Sequence, residues 1–94
     1  MTYKLVFKEQ AKKEWDKLDG PVRKQFAAKL KERLQEPRVE SARLSGMADC
    51  YKIKLRRVGF RLVYQVRDNE LIISVVAVGK RERNFVYKQA IKRI

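Results

Sequence analysis

Lys52 and Lys54 alternate with Tyr51, Ile53 and Leu55, and Arg61 follows between Phe60 and Leu62. On a strand, this spacing turns two ammonium groups to one face and the apolar side chains to the other. Like charges crowded on one sheet face repel, so the arrangement is unfavourable unless an anion neutralises it. The chain carries 24 Lys and Arg against 11 Asp and Glu, a formal net charge of +13. A nucleic-acid phosphate is the matching anion. Basicity alone does not separate RNA, DNA and anionic lipid. Farther on, Arg81 and Tyr87 lie in the run Gly79-Lys80-Arg81-Glu82-Arg83-Asn84-Phe85-Val86-Tyr87, at the exit of an apolar segment.

This inventory narrows the chemistry. The chain has no His. A metal nuclease needs carboxylates that converge, and here they are scattered over predicted helices and loops. No metal site and no cofactor is expected. Metal-free RNA cleavage stays open, because the ribose 2′-hydroxyl can serve as nucleophile if the protein supplies a base, an acid and charge stabilisation. Tyr87 and the lysines are the candidate bases, with ordinary pKa values of about 10 and 10.4. Neighbouring cations favour a phenolate and also favour a neutral lysine. Arg is a poor proton donor, but its fork fits a phosphoryl group. A site of this kind is strong in electrostatics and weak in proton transfer, so it would depend on alignment of its substrate. The blander alternatives are a solvated sheet face and a tyrosine used for packing.

The elements that must position these residues are legible in outline. Tyr3, Leu5 and Phe7 alternate with Lys4, Val6 and Lys8 and predict a first strand. Phe7, Ala11, Trp15 and Leu18 then fall at helical spacing. Asp19-Gly20-Pro21 ends that helix and starts a second along Val22, Phe26, Leu30 and Leu34, which Pro37 closes. The two predict a helical hairpin with a short connection. Arg38 to Asp49 reads as a loop with Gly46 as a turn. Strands are predicted over 50–55, 60–67 and 70–79, the last central because it is apolar on both faces. Asn84 is a candidate N-cap for a short final helix along Val86, Ala90, Ile91 and Ile94. The pattern predicts an α+β domain with a small antiparallel sheet of about four strands, the helical hairpin on one face and a short C-terminal helix.

Register follows from the turns. With Arg56 to Gly59 as a loop, Leu55 pairs with Phe60 and Lys54 lies opposite Arg61. With Asp68-Asn69 as a two-residue turn, Arg67 pairs with Glu70 and Arg61 lies opposite Val76. The face toward the helices then holds Tyr51, Ile53, Leu55, Phe60, Leu62, Tyr64, Val66, Ile73 and Val75. The other holds Lys52, Lys54 and Arg61 on a floor that includes Val63 and Val76, with Arg81 and Tyr87 overhanging it.

Ninety-four residues make one domain, 1–94. Trp15, Phe7, Phe26, Phe60 and Phe85 are candidates to anchor its core. The single Cys50 excludes an internal disulfide and suits a reducing compartment. No apolar run reaches the length of a signal h-region or a membrane span, so a cytoplasmic protein is expected.

Three runs carry a specific resemblance: Asp49 to Arg56, Gly59 to Val66, and Val78 to Arg83 with Tyr87 after them. Together with Lys13-Glu14-Trp15 and Lys17-Leu18 they resemble the RelE toxins of the RelE/ParE superfamily, from bacterial type II toxin–antitoxin systems. The resemblance covers nearly the whole chain. It implies a microbial ribonuclease-like fold and a toxin that enters the ribosomal A site and cleaves translated mRNA, leaving a 2′,3′-cyclic phosphate. It also implies a RelB-type antitoxin, through which the pair would bind operator DNA. The active residues carried over by position are Lys52, Lys54, Arg61, Arg81 and Tyr87. Tyr87, alone or with Lys52 or Lys54, would activate the 2′-hydroxyl. Arg61 and Arg81 would hold the phosphate, with Arg81 cast as the acid. Arg43, Arg56, Lys80 and Arg83 are the accompanying RNA-contact candidates. Ser45 departs from the pattern, standing where a relative has a basic residue. A non-catalytic basic RNA- or DNA-binding module is the alternative reading.

Overall fold

The outer edges of the central strand explain how the sheet is assembled. A computed structural model describes residues 2–94. Four strands, β1 (Lys4–Phe7), β2 (Cys50–Leu55), β3 (Phe60–Arg67) and β4 (Ile72–Lys80), form one sheet in the order β1-β4-β3-β2. The strands from β2 to β4 pair antiparallel as the sequence predicts, but β1 lies parallel to β4, with Phe7 opposite Val75. The sheet is therefore mixed. β4 is central, with β3 along one edge and β1 along the other as far as Val75, and its lack of a polar face requires cover on both faces.

Helices α1 (Glu9–Asp16) and α2 (Gly20–Gln35) cover one face. Ala11, Leu18, Val22, Phe26 and Leu30 bury themselves there against Tyr51, Ile53, Leu55, Leu62, Tyr64, Val66, Ile73 and Val75. The predicted helix-facing set is thus the observed one, with Phe60 and Trp15 partly buried at its margin. Helix α3 (Phe85–Arg93) lies on the opposite face. Its Val86 and Ala90 join Leu44, Met47, Cys50, Val63, Val76 and Ala77 in a second, smaller core. Phe85 is not a core residue, being 48% exposed. Its neighbour Val86 takes the inward position.

Two details of β4 differ from the sequence reading, and both move functional residues. The β3–β4 connection is the four-residue stretch 68–71, with Leu71 rather than Asp68 or Asn69 at positive φ (54°). Arg67 accordingly pairs with Ile72, not Glu70. In addition, Tyr64 pairs with Val75 but Val63 pairs with Ala77, so Val76 is an extra residue, a β-bulge. The bulge reverses the facing of everything beyond it. Ile73 and Val75 face α1 and α2, Val76 and Ala77 both face α3, and Val78 returns to the first core. Gly79, now opposite Arg61 where Val76 was expected, shares the α3 face. An unbroken alternation from Val75 would have put Gly79 and Arg81 on the side of α1 and α2.

Candidate active site

The β2–β3 register places Lys54 directly opposite Arg61 and Lys52 opposite Val63, as the Arg56–Gly59 turn predicts. Gly59 makes that turn at φ 71°. Its carbonyl accepts the backbone N–H of Arg81 at 2.7 Å, tying the exit of β4 to the turn. Lys54, Arg56, Arg61 and Arg81 consequently line one cleft of about 240 Å³, together with Leu55 and Phe60.

Larger hollows lie elsewhere. One of about 500 Å³ is lined by Arg38, Asp49, Asp68 and Glu70, among others, and its carboxylates would repel a phosphate. Another, of about 640 Å³, is lined by Gly20, Pro21, Arg23, Lys24 and Ala27 at the start of α2, and carries only two cations. The smaller cleft gathers four cations and no carboxylate, more positive charge than either, and suits a polyanion best.

Crowding among the cations has a direct consequence for Lys54. Lys52, then burial, then Arg61, Arg56 and Arg81 hold its ammonium below the ordinary lysine pKa. The side chain remains exposed, so it combines access with a weakened hold on its proton. Tyr87 behaves differently. It sits in the first turn of α3 with the Arg61 guanidinium 5.0 Å from its ring centroid. Burial pushes the phenol pKa up, and the opposing effect of Arg61 is smaller. The lowering that the nearby cations suggest in the sequence is thus overridden by desolvation. Tyr87 keeps its proton.

Two donors near this contact are buried without a hydrogen-bond partner, Tyr87 Oη and Arg61 Nε. Such orphaned groups are uncommon in folded proteins. Arg61 Nη1 donates to Asn84 Oδ1 at 3.4 Å. Asn84 is the N-cap of α3 by position only: its backbone is left-handed (φ 59°), and its side chain makes no cap hydrogen bond. It turns to Arg61 instead, a role the capping pattern conceals.

The other predicted RNA contacts separate. Arg56 belongs to the cleft. Lys80 pairs with Phe60, on the α1–α2 side of the sheet and away from Arg61. Arg43 reaches Glu40 at 3.5 Å and borders a different hollow with Ser45 and Gly46. Arg83 is exposed in the turn before α3, at φ 43°. Gly79 went unread as a site residue and is one in effect. A Cβ there would lie 3.3 Å from Val86 Cγ2, so only glycine lets α3 approach this closely. Among the described residues no group of three or more Cys, Asp or Glu is placed so that it could hold a metal ion.

A family model described as the ParE toxin of type II toxin–antitoxin systems matches residues 5–85. The chain belongs to the RelE/ParE toxin family. A putative RelE-like toxin protein of Escherichia coli is 58% identical over 94 residues, spanning 100% of this chain and 99% of that protein. The mRNA interferase toxin RelE of Escherichia coli (strain K12) is 56% identical over the same spans. Among solved structures, a mutant of the E. coli toxin RelE in its free state superposes with a TM-score of 0.93 at 54% identity, covering 100% of this chain and 99% of that one. RelE in the intact E. coli RelBE toxin–antitoxin complex matches 86% of this chain and 99% of that chain, with a TM-score of 0.83 at 56% identity. For this toxin-family chain, the α+β architecture read from the sequence stands. No helix is long and apolar enough to cross a membrane among the described residues.

Proposed function

We propose that this chain is the toxin of a type II pair and an endoribonuclease that cleaves mRNA in the ribosomal A site. The observation that carries the reading is the convergence of Lys54, Arg56, Arg61 and Arg81 on one cleft beside Tyr87, without a carboxylate among the cleft residues. Full-length likeness to mRNA interferases supports it. The matching antitoxin is a RelB-type chain, as in the RelBE complexes. Through that antitoxin the pair would bind operator DNA, and the toxin would work in the cytoplasm.

The geometry supports a division of labour. Lys54, with its depressed pKa, takes the proton of the 2′-hydroxyl. The 2′-oxygen attacks the adjacent phosphorus, and Arg61 and Arg81 stabilise the added charge. The bond from phosphorus to the 5′-oxygen breaks, leaving a 2′,3′-cyclic phosphate. Tyr87, whose phenol stays protonated, hydrogen-bonds or protonates the departing 5′-oxygen. Lys52 contributes charge and keeps Lys54 deprotonable. Because Tyr87 Oη and Arg61 Nε are buried in the free protein, substrate can reach them only after a local rearrangement around their side chains. That requirement suits an enzyme whose substrate is aligned by something as large as a ribosome.

The test is cleavage of mRNA on programmed ribosomes with an empty A site, with free mRNA as control. Cutting at the A-site codon, dependent on ribosomes and ending in a cyclic phosphate, is expected. Salt-sensitive ribosome binding without any cutting would instead favour the non-catalytic binding module.

A further inference from the structure

Beyond Val75, the outer edge of β4 has no neighbouring strand. β1 makes its last ladder pair there, Phe7 with Val75, and Lys8 N–H donates to Val75 O at 2.9 Å. The next outward backbone groups, on the bulge residue Val76 and on Val78 just past it, therefore have no strand to pair with. Two side chains from different helices satisfy them. Glu14 Oε1, on α1, accepts the N–H of Val78 at 3.1 Å. Arg93 Nη1, at the end of α3, donates to the carbonyl of Val76 at 2.9 Å. The two side chains are joined as a fork, at 2.8 Å and 3.0 Å. Only 13% of the Arg93 side chain and 24% of that of Glu14 are exposed.

We propose that Glu14 and Arg93 are positioning residues for cleavage: one clasp that fixes both the bulge aiming Arg81 and the helix carrying Tyr87. The proposal rests on the endonuclease reading above. Besides the clasp, α3 is seated through Val86 and Ala90, which are buried, while Phe85, Ile91 and Ile94 are 48%, 59% and 45% exposed. Arg93 and Tyr87 are six residues apart, about 9 Å along the axis, so loss of the clasp frees one end of a short lever whose other end touches Arg61. The bulge loses its partners in the same event. Removing one member of a partly buried pair also leaves the other charge without compensation.

The polarity of the clasp separates this role from simple charge pairing. Val78 offers a donor, so it needs the acceptor at position 14. Val76 offers an acceptor, so it needs the donor at position 93. The double variant E14R/R93E keeps opposite charges but mismatches both backbone groups, and it is expected to remain impaired.

The experiment is single-turnover cleavage on saturating programmed ribosomes, with amide exchange of Val78 and Tyr87 measured on the same proteins. Arg93→Ala should lower the rate about 10- to 100-fold, as small misplacements of catalytic groups do, with half-saturation changed less than about threefold. Arg93→Lys, which keeps a donor, should fold and recover part of the rate. In a Tyr87→Phe background, Arg93→Ala should cost less than it does alone, because the two act through the same helix. Asp16→Asn, which breaks the exposed Lys12–Asp16 pair on the same helix α1, should leave the rate unchanged. Wild-type rates for Arg93→Ala, or full rescue by E14R/R93E, would overturn the proposal. If wild-type protein does not cleave, the endonuclease reading falls, and the clasp is judged on exchange alone. Faster exchange in Arg93→Ala that Arg93→Lys restores supports it, and unchanged exchange overturns it.

Discussion

Replacing Gly79 by Ala tests how closely α3 must approach the sheet. The backbone at Gly79 is not in the left-handed region, so alanine meets no conformational barrier. The new methyl would lie 3.3 Å from Val86 Cγ2 and 3.9 Å from the nearest Phe85 ring carbon. Carbon atoms pack at about 3.5–4.0 Å, so the first turn of α3 must retreat by a few tenths of an ångström. Overpacking of this kind costs about 1–3 kcal/mol. The smaller entropy of the unfolded alanine chain returns about 0.4–1 kcal/mol. Net destabilisation should therefore be about 0–2.5 kcal/mol, small enough to leave a folded protein. Tyr87 follows Val86 in the helix and moves with it, away from Arg61. The rate should respond more than the stability, falling about tenfold, because reacting groups tolerate little misplacement. Denaturant unfolding and single-turnover cleavage on ribosomes measure the two quantities. A Gly79→Ala protein that is folded, destabilised and cleaves within twofold of wild type would refute the idea that the seat of α3 sets the site.

Three further outcomes are expected. Tyr87→Phe removes a buried hydroxyl that has no partner, so stability should hold or rise by about 1 kcal/mol, while cleavage falls about 10²-fold or more. Lys52→Met removes the largest repulsion acting on Lys54. The pKa of Lys54 then rises toward its ordinary value, and the alkaline rise of the cleavage rate should move to higher pH. An unshifted profile would exclude Lys54 as the base. Away from the site, the Tyr3 hydroxyl and then Arg38 hold the Asp68 carboxyl below its ordinary pKa. Its contribution is present above about pH 4, the ordinary aspartate range, and is lost as pH falls through the depressed value. Asp68→Asn should therefore be less stable than wild type near neutrality and indistinguishable from it in strong acid, as followed by circular dichroism.

The elements and half of the cleft are legible in the order of residues alone. The Arg56–Gly59 turn fixes the β2–β3 register, and period-2 alternation does the rest, so the opposition of Lys54 and Arg61 follows from residues close together in the chain. The stripe of Val22, Phe26 and Leu30 likewise named the helix face that is buried. The remainder involves partners distant in sequence. Alternation reports facing only while a ladder is regular, and the bulge at Val76 has no local signal. It is held by Glu14 and Arg93, 79 positions apart. Without it, Arg81 would have been placed on the wrong face. The parallel seating of β1 depends on which edge of β4 remained free. The direction of the Tyr87 shift depends on its burial where α3 packs on the second core, and burial is a property of the assembled layers, which no run of residues specifies alone.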